Sequence, residues 1–281
     1  MVEIYVVDLF CGCGGFSEGA RKAGASTILA VDNWKDALDV HKKNHPGTVH
    51  WNFELGGDIK AFAHKLNNFL MEMNTTGKHI HVHSSPPCQN LSRVNANKNM
   101  ASGILLVEWS LDLMKYLNLN TWSIEQVPCK EITNIVSGDD LFFKYVRTDA
   151  IGVPNKRGRY ILSNFEIKWI LCDEGQVSTL KNILDDIGET CGYSFQTNGT
   201  YRDRQYTYKC IDTVSYTVTS QFPCLYDKTM GRRSLSIRAL KRLQSFDEGY
   251  DISCKFISDK RKMIANSVPP LLAKMIIQSL Y

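Results

Sequence analysis

Apolar residues in this chain fall in short runs that alternate with amphipathic stretches. Glu3 to Asp8 is a β-branched and aromatic run that stops at a glycine-rich turn and leads into a helical stretch, Ser17 to Ala23. The unit repeats: the run Thr27 to Val31 ends in Asp32, and a helix from about Lys35 to Lys43 is closed by Asn44-His45-Pro46-Gly47. A third helix is predicted over Ile59 to Met73, and a strand over His79 to His83 runs into Ser84-Ser85-Pro86-Pro87-Cys88. After a polar, asparagine-rich loop from Gln89 to Ser102 come an apolar helix, Ile104 to Leu119, and two strands, Thr121 to Val127 and Arg159 to Ser163. Strands alternating with helices predict an α/β fold with a parallel sheet covered by helices on both faces.

From about Phe165 to Tyr208 the alternation stops, and short strand-like pieces among Gly, Asn, Asp and Thr predict an inserted lobe. Helical periodicity returns over Ser236 to Gln244 and Arg261 to Leu280, joined by the turn-rich stretch Phe246 to Ser253. The expected organisation is a main domain over 1–164, a small lobe over 165–229, and a segment over 230–281 that rejoins the main domain.

At 281 residues and 43% hydrophobic content, the chain can bury one sizeable core and a small second lobe. Nine scattered cysteines, an odd number without paired spacing, argue against a secreted disulfide scaffold and for a reducing compartment. No apolar run approaches the roughly 20 residues that span a bilayer, and no basic leader precedes Ile4, so a soluble intracellular protein with no membrane association is expected. The net charge of +4 is compatible with a polyanionic partner without pointing to one.

The loop Asp8-Leu9-Phe10-Cys11-Gly12-Cys13-Gly14-Gly15-Phe16 sits between strand and helix, where residues without side chains let a ligand approach the backbone. Ser17 stands where a G-x-G-x-x-G fingerprint needs its third glycine, which weakens a nicotinamide-dinucleotide reading and an oxidoreductase with it. Asp32, about 20 residues on, is placed either to accept from ribose hydroxyls or to cap the next helix. Cys88 follows two prolines at the carboxyl edge of the sheet, which suits a rigidly held nucleophile; a lone cysteine is otherwise a small inert hydrophobe. Glu125 ends a strand at the same edge, where it is a carboxyl able to donate to a ring nitrogen or a surface glutamate. Arg157 and Arg159 alternate on one strand face, as guanidinium donors to a carbonyl or phosphate or as a solvated basic edge. His79, His81 and His83 share one strand face; packing under a covering helix is preferred to a metal site.

Taken in order, these segments resemble the cytosine-5 DNA methyltransferase family over nearly the whole chain outside the lobe. Asp8 to Gly24 is similar to its cofactor loop, Ser85 to Ser92 to its Pro-Cys-Gln motif, and Glu125-Gln126-Val127 to Glu-Asn-Val. Asn155 to Arg159 resembles Gln-x-Arg-x-Arg, Arg233 to Phe246 the late helix ending in Leu-Gln-x-Phe, and Ala265 to Pro269 the terminal Gly-Asn-Ser-Val-Pro. Gln126, Asn155 and Ala265 depart from the usual asparagine, glutamine and glycine.

The resemblance implies a Rossmann-like methyltransferase sheet, a monomer that acts on double-stranded DNA, and S-adenosyl-L-methionine as methyl donor, with S-adenosyl-L-homocysteine as product. It implies Cys88 as the nucleophile toward cytosine C6, Glu125 at N3, Arg159 holding O2 and orienting the site, and Arg157 as a further catalytic residue. Phe10, Gly12, Gly14, Gly15, Asp32, Asn33, Trp34, Asp58, Ile59, Leu105, Asn266, Ser267 and Val268 would form the cofactor pocket. Pro87, Gln89, Ser92, Arg93, Arg202 and Arg204 would meet the substrate, with the inserted lobe, including Lys168, Lys181, Lys209 and Tyr193, Tyr201, Tyr206 and Tyr208, reading a short sequence. That chemistry needs no metal. The competing readings are a tRNA cytosine-5 methyltransferase and a catalytically silent DNA-binding protein of the same fold; the resemblance extends to restriction-modification enzymes of the cytoplasm or nucleoid.

Overall fold

The computed structural model describes residues 2–87, 100–136, 141–173, 175–189, 192–199, 206–221 and 223–281. The chain opens with β1 (Ile4–Leu9), α1 (Gly15–Lys22), β2 (Ser26–Asp32), α2 (Lys35–Asn44), β3 (Val49–Asn52), α3 (Ile59–Glu72) and β4 (His79–Ser84). It continues through α4 (Met100–Leu117), β5 (Thr121–Gln126), α5 (Lys130–Val136), β6 (Phe142–Arg147), a 3-10 turn (Thr148–Ile151) and β7 (Gly158–Ser163). The seven strands form one sheet in the order β3-β2-β1-β4-β5-β7-β6. The first five are mutually parallel, whereas β7 runs antiparallel to both β5 and β6. The expected parallel sheet thus carries one antiparallel member near its edge: the 3-10 turn reverses the chain within ten residues of β6, too short for the helical crossover that a parallel neighbour requires.

Alternation along β1 shows how the sheet is covered. Val7 and Leu9 enter a core with α3 and α4 residues such as Phe62, Leu66 and Leu113, while Ile4 and Val6 enter one with Phe16 and Ala20 of α1. The latter core is completed by α9 (Pro270–Gln278), which follows α6 (Leu180–Asp186), α7 (Ile237–Leu243) and α8 (Ile257–Asn266). The single helical stretch expected over Arg261 to Leu280 is interrupted at Ser267–Pro269, because the ring of Pro269 ends one helix and Pro270 starts the next at its first position.

A second, wholly antiparallel sheet, order β11-β10-β8-β9, is built from β8 (Phe195–Gly199), β9 (Tyr206–Cys210), β10 (Cys224–Asp227) and β11 (Gly231–Ser234). Ile211, Val218 and Leu225 from this region share a core with α2, α6, α7 and α8. Phe165, Ile167 and Trp169, at the start of the expected lobe, pack instead with the β1 and α9 side of the main sheet.

Candidate active site

A cavity of about 470 Å³ opens at the carboxyl edge of β1, β2, β4 and β5. Three loops converge there because a parallel sheet delivers every strand-to-helix connection to one edge. From the first loop come Phe10, Gly12, Cys11 and Cys13; from the second Asp32, Asn33 and Trp34; from the third Ser85, Pro86 and Pro87. Glu125 of β5 and Arg157 just before β7 form the far wall, and Lys262, Met263, Asn266, Ser267 and Val268 of the C-terminal segment close it.

Asp32 ties the first two loops together. Its Oδ2 accepts from Gly12 N at 2.8 Å and its Oδ1 from Trp34 N at 2.8 Å. Burial pushes its pKa up against the effect of these amide donors. Phe10 holds a left-handed backbone conformation (φ 57°) and its ring meets Trp109 edge to face at 6.2 Å between centroids. Ser267 Oγ lies 3.1 Å from Cys13 Sγ and donates to Met263 O, so the terminal segment is stitched to the glycine loop. Tyr250 reinforces this by donating its hydroxyl to Cys13 O at 2.6 Å. Gly14 and Gly15 lie behind the wall. A Cβ on Gly15 would stand 2.2 Å from Val268 O, so glycine there permits the close approach of the 267–268 backbone.

Glu125 and Arg159 are both buried, and Arg159 Nε donates to Glu125 Oε1. Arg159 also donates to Gly158 O, so it stands beside Glu125, while Arg157 lines the cavity. Arg157 Nη1 donates to Ala265 O at 2.5 Å and to Val218 O at 3.4 Å, joining α8 and the segment around Val218 to this wall of the cavity. Gln126 Nε2 donates to Pro86 O at 3.0 Å, and its Oε1 accepts from Val127 N. Asn155 Nδ2 donates to Leu243 O and to Gln244 Oε1, and Gln244 in turn donates to Ile264 O. Ala265 lies inside α8 with a helical backbone, which a residue with a Cβ adopts without strain.

Asp58, Ile59 and Leu105 are not brought to this cavity. Asp58 is exposed and caps α3 by accepting from Lys60 N and Ala61 N, Ile59 packs against the α3–α4 core, and Leu105 is 62% exposed. Cys88, Gln89, Ser92, Arg93, Tyr201, Arg202 and Arg204 lie outside the described residues, as does the side chain of Tyr206. Of the other lobe candidates, Lys181 pairs with Asp185, Tyr193 is buried beneath Arg233, Tyr208 packs against Tyr226, and Lys209 lies over Tyr216. Lys168 belongs to the other side of the molecule, where its backbone N donates to Ser279 Oγ.

The strand histidines are engaged with hydroxyls and a ring. His81 bonds Thr121 and Ser123, His83 bonds Ser123, and Phe16 stacks on His83 at 3.5 Å with 3° between planes. Burial pushes the His81 imidazole down to about 3. Reading the sequence did not single out Cys11, Cys13, Lys262, Met263 or Tyr250. Lys262 and Asn266 are four residues apart on α8, one helical face, and that spacing was the available signal.

The chain matches the model of the family described as C-5 cytosine-specific DNA methylase over residues 4–109 and 162–281. It is 26% identical to the type II methyltransferase M.HgiDI of Herpetosiphon aurantiacus, covering 98% of this chain and 93% of that one. Against the type II methyltransferase M.HindV of Haemophilus influenzae it is 26% identical over 98% and 95% of the two chains. A solved structure described as a putative prophage-encoded DNA modification methyltransferase (E. coli) superposes with a TM-score of 0.69 at 18% identity, covering 99% of both chains. The S. pombe Dnmt2 methyltransferase does so with a TM-score of 0.66 at 17% identity, over 98% and 97%.

Proposed function

The chain belongs to the family of C-5 cytosine-specific DNA methylases, enzymes that move a methyl group from a donor to DNA, and from that premise we propose that its cavity takes S-adenosyl-L-methionine and presents it to a cytosine held at Cys88. The observation that carries this reading is the meeting, in one cavity, of the glycine loop and Asp32 with Pro86, Pro87 and Glu125. Pro87 is bonded directly to Cys88.

The residues present fit the donor. Asp32 is a half-buried carboxylate suited to ribose hydroxyls, Phe10 and Trp34 offer aromatic faces to adenine, and the cavity volume lies in the range of roughly 300–1,000 Å³ usual for small-molecule sites. Once bound, the donor supplies an electrophilic methyl group. Cytosine C6 is out of reach inside a duplex, so the base is flipped into the cavity. The Cys88 thiolate bonds to C6 while the Glu125 carboxyl delivers its proton to N3, and the displaced electron pair makes C5 enamine-like and nucleophilic. After C5 is methylated, loss of its proton to a base returns the electrons and breaks the Cys88–C6 bond. Arg159 holds one carboxylate oxygen of Glu125, and Arg157 offers its guanidinium at the cavity wall.

We assign the antiparallel sheet and its loops to recognition of a short duplex sequence by a monomer, in the manner of the modification partner of a type II restriction system acting in the cytoplasm or nucleoid. Among the described residues no helix is long and apolar enough to cross a membrane. The test is incubation with tritiated S-adenosyl-L-methionine and, side by side, unmethylated duplex DNA and tRNA, with bisulfite sequencing of the DNA. The expected outcome is 5-methylcytosine in DNA at one short motif, lost in Cys88→Ala while S-adenosyl-L-homocysteine still binds. Label in tRNA alone, or in neither, refutes the reading.

A further inference from the structure

Helix α8 contributes more to the cavity than the Asn266-Ser267-Val268 segment that follows the family pattern. One turn earlier, Lys262 lies at the cavity wall with its ammonium 4.7 Å from the centroid of the Trp34 ring. Trp34 is an unusual residue to find at the N-cap of a helix. It has no side-chain oxygen to accept from the first turn, and none of the helix's amides is capped by a side chain there. Its backbone is anchored, since Trp34 N donates to Asp32 Oδ1 at 2.8 Å, but the half-buried indole has two faces to be held.

Lys262 covers one of them. An ammonium within about 6 Å of an indole centroid is attracted by the negative face of the ring, and the lysine stem adds apolar cover. The helix that carries Lys262 is held from the far wall, because Arg157 donates to Ala265 O in the last turn of α8. Ser267, immediately beyond, reaches Cys13 of the glycine loop. The arrangement thus runs from the catalytic edge, through α8, to the indole at the opposite side of the cavity.

We propose that Lys262 is a cofactor-positioning residue: it lines the same cavity as Trp34 and holds the indole, which also packs against the core shared by α2, α7 and α8, in place for the adenine of the methyl donor. This rests on the reading of the cavity as the donor's site. It assigns to α8 two roles toward one ligand: direct contact through Asn266 to Val268, and indirect contact through a cation held against an aromatic ring. Because Lys262 acts through Trp34, its charge governs donor affinity and not the chemical step. An arginine can replace it, since a guanidinium stacks on indole, whereas methionine keeps the stem and loses the charge.

The experiment measures S-adenosyl-L-homocysteine binding by calorimetry, KM for the donor, kcat and thermal midpoint for the full chain and for Lys262→Arg and Lys262→Met. For an exposed cation over an indole, Lys262→Met is expected to raise Kd and KM together by about two- to five-fold, with kcat and midpoint nearly held and Lys262→Arg close to the parent. In Trp34→Leu, which lacks the ring, the added Lys262→Met change is expected to have no further effect on Kd. Unchanged affinity in Lys262→Met overturns the proposal, and so does an equal loss in Lys262→Arg accompanied by a lowered midpoint, which marks a structural role. If the parent chain itself fails to bind S-adenosyl-L-homocysteine, the assignment of the cavity falls first and the clamp with it.

Discussion

Arg159 Nε donates to Glu125 Oε1 across the β5–β7 pair, with side chains only 7% and 9% exposed. A buried carboxylate held in this way has one oxygen committed and little freedom to turn. Replacing Glu125 by Gln keeps the shape and removes both the charge and the proton chemistry. Methyl transfer is expected to fall by about 10²–10⁴-fold, the usual contribution of a positioned acid or base, with S-adenosyl-L-homocysteine affinity nearly unchanged. Single-turnover kinetics against binding calorimetry checks this. A comparable loss in both measurements would mean that the substitution has disturbed the cavity and not only the chemistry.

Arg159→Ala strands the same carboxylate without its partner. Breaking a buried pair from one side costs about 3–5 kcal/mol, so this variant is expected to be less stable than Glu125→Gln as well as inactive. Urea denaturation of the parent and both variants decides it; an Arg159→Ala midpoint equal to the parent's would remove the ion pair from any account of stability.

Gln126 explains a departure that the sequence could only register. Its amide reaches Pro86 O at 3.0 Å, two residues before Cys88, and its carbonyl oxygen takes Val127 N at 2.7 Å. Asparagine is one methylene shorter and cannot be assumed to span both. Gln126→Ala leaves a buried carbonyl unpaired, which costs about 1–3 kcal/mol. It is expected to lower kcat more than donor affinity, because the loop it releases leads into Cys88, the proposed nucleophile. Donor affinity falling in parallel with kcat would contradict this.

The strands and helices of the main sheet were legible because β1 and β2 hold unbroken apolar runs, β4 and β5 alternate apolar with polar residues, and the helices between them have clear stops. β3 and β6 were not, since β3 has four residues with partial exposure and β6 exposes Phe142, Phe143, Lys144 and Tyr145 at the sheet edge. The direction of β7 is set by the short 3-10 connection, which no periodicity records. In the cavity, residues in ordered motifs such as Phe10, Asp32 and Glu125 could be found by position. Tyr250 and Lys262 could not, because their partners, Cys13 O and the Trp34 ring, are more than 200 residues away along the chain. Asp58 and Leu105, also read from the sequence, do not line the cavity.

Gly19 is the tightest point between α1 and α9. A Cβ there would lie 2.3 Å from Pro270 O, 2.4 Å from Ala273 Cβ and 2.7 Å from Lys274 N. Two of these neighbours are backbone atoms and cannot rotate aside, so Gly19→Ala must push the helices apart. A loss of about 1–3 kcal/mol or more is expected, whereas Gly47→Ala, with nothing within 4 Å of the added carbon, is expected to be near neutral. Chemical denaturation of both variants provides the comparison, and equal stabilities would show that the α1–α9 interface yields freely.

Acid should loosen the glycine loop before it affects the rest of the main sheet. His41 lies between Ser17 Oγ at 3.0 Å and His50 Nε2 at 2.8 Å, and Ser17 donates to Asp8 Oδ2. His45 meets the Tyr250 hydroxyl at 3.2 Å, the same group that donates to Cys13 O. Burial pushes His45 down to about 4 and His41 well below its ordinary value of 6.5. Between pH 6.5 and 4 the unfolded chain therefore binds protons that the folded chain refuses, and stability falls as pH drops through that window. His81, pushed by burial to about 3, and His83, pushed lower still, act in the same direction. Asp8 opposes them, because burial raises it to about 7 and its ionisation between its ordinary value of 3.8 and 7 disfavours the folded state. Asp32, also raised by burial, acts with Asp8; four imidazoles outweigh these two carboxyls, so the urea midpoint is expected to decline from pH 7 to 4.5, with a shallower slope in His45→Gln. A midpoint that holds or rises on acidification would mean that these histidines stay as accessible to protons in the folded chain as in the unfolded one.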